Sequence, residues 1–340
     1  MKFVYFASVN TTVKILIIRF SSIGDIVLTT PVIRCLNKQL EGEVEIHYLT
    51  KSSYKILLEN NPYVTKIHSI EKSINEVIKE LQNEQFDYIV DLHKSLRSSR
   101  VKRKIEGLSF SFDKLNWQKW LLVNFKINRM PKIHIVDRYL QSVKALGVKN
   151  DEKGLDYFLP EGIEEEQLLP EGFPKTYVAI VLGATHATKR LPDSKFRDLV
   201  TAIKQPIVLI GGKEDTHLGT NIGEIDSKKI FNAAGKMTLN ESAVLLKQAS
   251  AVITHDTGMM HIAAAFQKKI ISIWGNTVPN FGMYPYLNKE NRSTFKVIEN
   301  NKLNCRPCSK IGFDKCPKGH FKCMEELNLN IISKFVKQEK

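Results

Sequence analysis

The sequence predicts an α/β protein of two Rossmann-like parallel-sheet domains facing a central cleft. Three observations carry that prediction. Strand and helix signals alternate regularly through the first half, a proline- and glutamate-rich stretch breaks the rhythm at 151–175, and a second alternating block follows. At 340 residues the chain is too long for one ordinary α/β core and comfortable for two. Open sheets of this kind bind ligands at the carboxyl ends of their strands, so the loops that follow the strands are where function is sought.

Val13-Lys-Ile-Leu-Ile-Ile18 is a short, mostly apolar run rich in β-branched residues, as a buried parallel strand requires. Further strands are expected at Val44–Leu49, Lys66–Ile70 and Tyr88–Val90, with helices at Pro31–Gln39 and Ile74–Gln82 between them. The break carries three glutamates at 164–166 together with Pro160, Pro170 and Pro174, and reads as an interdomain linker. Beyond it, Tyr177–Leu182, Pro206–Ile210, Ala251–Thr254 and Ile270–Trp274 read as strands. Pro192–Ile203 reads as a helix opened by proline, with Phe196, Leu199, Val200 and Ile203 on one face, and Ser242–Ala249 and Gly258–Phe266 read as helices. The expected domains are 13–155 and 176–300, joined by a linker at 156–175. An extension at 1–12 precedes them, and a cysteine-rich segment with a terminal helix follows at 301–340. The apolar run at the start is a poor signal peptide, because a core-like strand begins almost at once.

Composition narrows the class. No stretch approaches the roughly 20 apolar residues of a membrane span. Fifty Lys and Arg against 36 Asp and Glu give +14, which favours anionic partners or, equally, a merely basic surface. Of five cysteines, Cys35 stands apart; the rest form Cys305-x2-Cys308-x7-Cys316-x6-Cys323, with His320 nearby. The first pair has metal-ligand spacing and the second is too wide for a standard zinc ribbon, so zinc ligation, free thiols and an opportunistic bridge all stay open.

The sharpest segment is Arg19-Phe-Ser-Ser-Ile-Gly-Asp25, a polar, glycine-containing turn at the carboxyl end of the first strand. Asp25 is a lone carboxylate there and a candidate general base. Its place at a helix start predicts a lowered pKa. Three loops in the second half also follow strands. In Gly183-Ala-Thr-His-Ala-Thr-Lys-Arg-Leu-Pro192, Lys189 is a point charge suited to a diphosphate, and Thr185 and Thr188 add hydroxyls. Gly211-Gly-Lys-Glu-Asp215 offers Glu214 to ribose hydroxyls. In Thr254-His-Asp-Thr-Gly-Met-Met-His261, Asp256 or Thr257 can cap a helix that begins near Gly258, and such a helix start suits a phosphate. His261 reads as a satisfied core histidine ahead of a ligand. No strand is followed by G-x-G-x-x-G, and the second strand ends without the expected acid, which weakens a dehydrogenase reading.

The segment from Asp91 to Lys104 concentrates positive charge on Lys94, Arg97, Arg100, Lys102, Arg103 and Lys104, with no acid among them. It suits an acceptor carrying several phosphates or carboxylates. It lacks the interleaved aromatics that stack bases, so nucleic acid is not expected. Trp117 and Trp120, beside Leu121 and Leu122, form an amphipathic stretch expected in the core, with a membrane surface as the alternative.

Taken together, these segments resemble glycosyltransferase family nine, the ADP-heptose:lipopolysaccharide heptosyltransferases. The matching pieces are Lys14 to Pro31, Asp91-Leu-His-Lys-Ser-Leu-Arg-Ser98, Lys189-Arg-Leu-Pro192, Gly211-Gly-Lys-Glu214 and Asp256-Thr-Gly-Met-Met-His-Ile-Ala-Ala264, in the family's order. Leu191 departs from the tryptophan usual before that proline. The resemblance implies a GT-B fold and inverting transfer of heptose from ADP-heptose, the donor substrate, to an anionic, lipid-linked lipopolysaccharide inner-core acceptor. It implies no required cofactor or metal, and peripheral association with the cytoplasmic face of the inner membrane. It implies that residues 13–155 bind the acceptor and 176–300 the nucleotide sugar. By the same token Asp25 is the base and Lys189 holds the diphosphate. Thr185, Thr188, Glu214, Asp256, Thr257, Gly258, Met259 and His261 meet the donor, and Ser22, Gly24, Lys94, Arg97 and Arg100 meet the acceptor.

Overall fold

The computed structural model describes residues 12–337. Of the expected 1–12 extension, residues 1–11 lie outside the described residues. The chain divides into two compact units: one holds the residues up to Lys114 together with Val136–Asp151, and the other holds Leu115–Ile135 and everything from Glu152 onward.

The first unit is built on a five-stranded, all-parallel sheet of β1 (Val13–Ile18), β2 (Val44–Lys51), β3 (Lys66–Ile70), β4 (Tyr88–Asp91) and β5 (Leu108–Ser111), in the order β3-β2-β1-β4-β5. Helices α1 (Ile23–Val27), α2 (Thr30–Gln39), α3 (Ile78–Glu84) and α4 (Leu96–Lys104) connect them. The last four residues of β1 are wholly buried, as strands covered on both faces must be. One core layer gathers Leu16, Ile18, Leu49, Ile70, Leu81, Phe86 and Val101. Cys35 is buried on α2. The expected helix at Ile74–Gln82 is interrupted. Glu76 accepts the N–H groups of Glu71, Lys72 and Ser73, which tightens Ile74–Glu76 into a 3-10 turn before α3 begins.

The second unit starts with α5 (Asn116–Phe125), and α6 (Ile135–Ser142) then carries the chain back into the first unit. Its sheet holds β6 (Val178–Val181), β7 (Ile207–Ile210), β8 (Ile230–Asn232), β9 (Ala251–His255), β10 (Ile270–Trp274) and β11 (Phe295–Glu299). All pair in parallel, in the order β11-β10-β9-β6-β7-β8. The helices are α7 (Asp193–Ala202), α8 (Thr216–Gly223), α9 (Leu239–Gln248), α10 (Gly258–Ala265), α11 (Lys322–Glu325) and α12 (Asn330–Lys337). Phe196, Leu199, Val200 and Ile203 enter one core with Ile180, Leu209, Ile253 and Ile273, so the predicted helical face is the buried face. Most of 151–175 is irregular, yet Leu155 and Tyr157 are buried, and the Tyr157 hydroxyl donates to Asn240 Oδ1 at 2.7 Å.

Both sheets are wound outward in two directions from a central strand pair, β1/β4 in one and β6/β9 in the other. A crevice opens at the carboxyl ends of such a pair, where successive connections leave in opposite directions.

Candidate functional site

In the first unit the β1 and β4 ends bring together Arg19, Asp25 and His93. Arg19 leaves β1 directly into a buried position, and its Nη2 lies 2.6 Å from Asp25 Oδ1. The rest of the guanidinium is tied down. Nε donates to Ser21 O at 2.8 Å, and Nη1 donates to Leu92 O at 2.5 Å and to Tyr139 Oη at 3.0 Å. Asp25 Oδ2 accepts from the Ser22 backbone N–H at 3.2 Å and from Ser22 Oγ at 2.8 Å. Burial pushes the Asp25 pKa up, but the Arg19 charge and the Ser22 hydrogen bonds outweigh it, and the carboxyl is held below the ordinary 3.8. The expected lowering is present, with Arg19 as its main source. A carboxylate has about four lone-pair directions; one is taken by Arg19 and two by Ser22, leaving room for one incoming proton.

Around this pair, His93 sits edge-on to Phe20 at 5.0 Å. Burial, with Arg19 and Lys114 nearby, pushes its pKa down to about 4, so the imidazole is neutral at pH 7. Asp91, wholly buried, accepts the N–H groups of His93 and Lys94 and shapes the turn between β4 and α4. Arg97 stacks over Phe20 at 5.5 Å, which puts it beside the Asp25 loop. Arg100, one helical turn on, and Lys94 are exposed. Lys102 and Lys104 are engaged elsewhere, with Asp91 and Ser111, and with Asn75. Ser22 precedes α1 as an exposed residue and Gly24 is buried within it.

In the second unit the β6 and β9 ends bring Lys189 to Asp256. Lys189 Nζ lies 2.7 Å from Asp256 Oδ2 and donates to the Asp256 carbonyl at 3.3 Å; Thr277 Oγ1 donates to the same carboxylate at 2.9 Å. Asp256 therefore does not cap α10. Thr257 occupies the cap position, but its hydroxyl lies 3.3 Å from that of Thr254 and makes no cap hydrogen bond. The first turn of α10, from Gly258 and Met259, thus begins uncapped by a side chain. His261 is buried within it.

Three residues differ from expectation. Thr188 is buried, and its hydroxyl donates to Phe313 O at 3.0 Å and accepts from Phe313 N–H at 2.8 Å, so it fastens the cysteine-rich segment. Trp117 and Trp120, expected in the core, are 64% and 40% exposed; the core contact of α5 is Leu122 on Val278 and Phe281. Thr185 and Glu214 are exposed on their loops. The residue buried in the β7 loop is Asp215, which accepts from Gly212 N–H at 2.9 Å and from Arg190 Nη1 at 3.3 Å. A Cβ at Gly183 or Gly211 would meet Asp215 atoms at 2.2 or 2.7 Å, so these glycines admit Asp215 between the two loops. His255 accepts the Leu191 N–H at 3.0 Å, and burial pushes its pKa down to about 3. The four late cysteines form no disulfide; Cys305 Sγ lies 3.9 Å from His320 Nε2, and burial pushes Cys308 up to about 11.

Arg19, His93, Asp215 and Thr277 are the site residues that sequence reasoning missed. Arg19 carried one signal, a cation placed directly after a buried strand.

The sequence profile of Glycosyltransferase family 9 (heptosyltransferase) matches residues 74–312. "Lipopolysaccharide heptosyltransferase 1" of Campylobacter coli is 25% identical over 354 residues, covering 96% of this chain and 98% of that protein. The crystal structure of a family 9 glycosyl transferase from Veillonella parvula DSM 2008 superposes with a TM-score of 0.76 at 21% identity, covering 95% of this chain and 96% of that one. E. coli heptosyltransferase WaaC, solved with ADP, superposes with a TM-score of 0.68 at 19% identity over 95% and 99% of the two chains; it has also been solved with ADP-2-deoxy-2-fluoro heptose, at a TM-score of 0.67.

Proposed function

Because this chain belongs to glycosyltransferase family 9 (heptosyltransferase), we propose that it transfers heptose from ADP-heptose to a lipopolysaccharide inner-core acceptor, with inversion at the anomeric carbon. The observation that carries this reading is the Asp25 carboxylate. It is kept ionised by a buried arginine at the carboxyl end of β1, with one lone-pair direction left open. Such a group is built to take the proton of an acceptor hydroxyl as that oxygen attacks the anomeric carbon. The departing ADP carries the opposite requirement. Lys189 can leave Asp256 for the diphosphate, and the uncapped start of α10 supplies N–H groups to it. Asp256, freed of the lysine, remains an acceptor for sugar hydroxyls. Ser22 and Arg97, with Arg100 one turn further along α4, hold the anionic acceptor near Asp25.

The lipid-linked acceptor implies work at a membrane surface, on the cytoplasmic face of the inner membrane. None of the described helices is long and apolar enough to cross a membrane. The support for peripheral docking is α5 and the segment after it. Trp117, Trp120, Phe125, Ile127 and Ile133 are exposed, and Lys119, Lys126, Arg129 and Lys132 intervene with no acid between them. Exposed aromatics among cations suit an interface with anionic lipid.

The deciding experiment measures ADP release from a panel of nucleotide sugars, with and without truncated lipopolysaccharide. Release from ADP-heptose that depends on the acceptor is expected. Preference for another nucleotide sugar, or binding without release, would overturn the reading.

A further inference from the structure

A second cluster of titratable groups lies in the first unit, away from Asp25, and the transfer reaction makes no use of it. His47 on β2 and His68 on β3 are each 2% exposed. The parallel register sets His47 opposite Lys66 and Leu49 opposite His68, so both imidazoles leave the same face of the sheet, the one covered by α3. His47 Nδ1 and His68 Nε2 face one another at 3.0 Å, and Glu84 Oε1 of α3 lies 3.9 Å from His47 Nδ1. The three ligand atoms all fall within 4.8 Å of one another. The outward nitrogens are backed by carboxylates as well, His68 Nδ1 by Glu80 Oε1 at 3.0 Å and His47 Nε2 by Glu45 Oε2 at 3.7 Å. Carboxylates in that outer position orient imidazoles toward a metal.

Charge points the same way. Three carboxylates, Glu45, Glu80 and Glu84, are answered by two ammonium groups, Lys14 and Lys66. Neutral imidazoles beside an excess of carboxylate are a donor set for a borderline cation. Magnesium and calcium prefer oxygen alone.

We propose that His47, His68 and Glu84 form a binding site for a divalent first-row transition metal of the zinc class, with water completing the shell. Tetrahedral coordination with metal–nitrogen bonds of about 2.0–2.1 Å separates two ligating nitrogens by about 3.3 Å, so the facing rings need move apart by only a few tenths of an ångström. In the metal-free protein one N–H bridges the two facing nitrogens, and on binding that proton moves to the outward, carboxylate-backed nitrogen of the ring that carried it, so both rings ligate as neutral imidazoles. Lys66, now 2.7 Å from Glu84 and 2.9 Å from Glu80, is 44% exposed in its side chain; it stays with Glu80 while Glu84 turns to the ion. The site is independent of the transfer reading.

Cobalt(II) is the probe, added to the full-length protein and followed by its visible absorption and by equilibrium dialysis. The expected result is uptake of one cobalt per chain with d–d bands of a nitrogen and oxygen site, displaced by zinc. Thiolate charge-transfer bands would instead report the late cysteines. His68→Gln should weaken uptake about tenfold or more, and Glu84→Gln, an isosteric change at a partly buried position at the end of α3, should weaken it severalfold with unchanged circular dichroism. No uptake, uptake showing only thiolate bands, or equal uptake by both variants and the unaltered protein would overturn the site.

Discussion

The two units carry their loop acids at corresponding places, just beyond the first strand of one sheet and the fourth of the other, yet they hold them differently. Asp25 is bound to an arginine that is itself anchored by Ser21, Leu92 and Tyr139. Asp256 is bound to a lysine whose other hydrogen bond is to the carbonyl of that same aspartate. The arginine fork is rigid and its orientation is fixed before any ligand arrives; the lysine sits on a flexible stem and can be drawn away by a stronger anion. In the proposed reaction the first unit would therefore present a stationary base, and the second a cation on loan. The difference matches the two demands of an inverting transfer, since the base must point one way throughout while the diphosphate gains its charge only as the bond breaks.

Removing the stationary acid should have the largest effect. Asp25→Asn is expected to lower kcat by about 10³-fold, within the 10²–10⁴ range for general bases, while ADP affinity, measured by calorimetry, stays unchanged. A kcat within tenfold of the unaltered enzyme would remove Asp25 as base. Its pKa supplies a companion readout. A group whose folded pKa is depressed contributes stability above its unfolded value and loses it as pH falls through the lower folded one. Ionisation of Asp25 therefore adds no acid limb to the rate between about pH 5 and 8. A limb in that window that vanishes in Asp25→Asn would mean that Arg19 does not control the carboxylate.

How much of this was legible beforehand follows the range of the interactions. The central strands announce themselves because a strand buried on both faces must be apolar along its length, as Val13–Ile18 and Ile270–Trp274 are. Strands β5, β8 and β11, all at sheet edges, were missed; Leu108–Ser111, mostly exposed, carries no such run. Asp25, Lys189 and Asp256 were visible as polar residues after legible strands. The burial of Arg19 was not, because its partner Leu92 lies 73 residues away and Tyr139 lies 120 away. The tie of Thr188 to Phe313 was hidden for the same reason, its partner being 125 residues on. Helical periodicity marked α5 as two-faced without saying which face meets Val278 and Phe281.

Loss of the mobile cation should cost less than loss of the base. Lys189→Ala is expected to reduce kcat with ADP-heptose by about 10²-fold and to weaken ADP binding, while affinity for the acceptor holds. Lys189→Arg tests mobility itself. If release from Asp256 matters, the variant should bind ADP and yet turn over more slowly, because a guanidinium makes a firmer pair with the carboxylate. Full activity in Lys189→Arg would mean that charge alone suffices there and that the contrast with Arg19 has no functional weight.

The smallest effect concerns which unit carries the proposed docking element. The first unit offers a basic helix, α4, with exposed Arg97 and Arg100; the second offers α5, whose Trp117 and Trp120 rings stack at 5.0 Å in the open. Charge alone would favour α4, but a headgroup layer also takes up aromatic rings, and α5 has both. Emission can decide, because of the three tryptophans Trp274 is buried and the other two stand on α5. Phosphatidylglycerol vesicles should shift the emission to the blue and phosphatidylcholine vesicles should not, and 1 M salt, with a screening length of about 3 Å, should weaken binding. Trp117→Ala with Trp120→Ala should lower vesicle binding and slow transfer to vesicle-borne acceptor severalfold, yet leave transfer to a water-soluble truncated acceptor unchanged. If Arg97→Ala with Arg100→Ala abolishes vesicle binding and the tryptophan pair does not, the docking element belongs to the first unit, and the same helix must then serve both the lipid surface and the acceptor sugar.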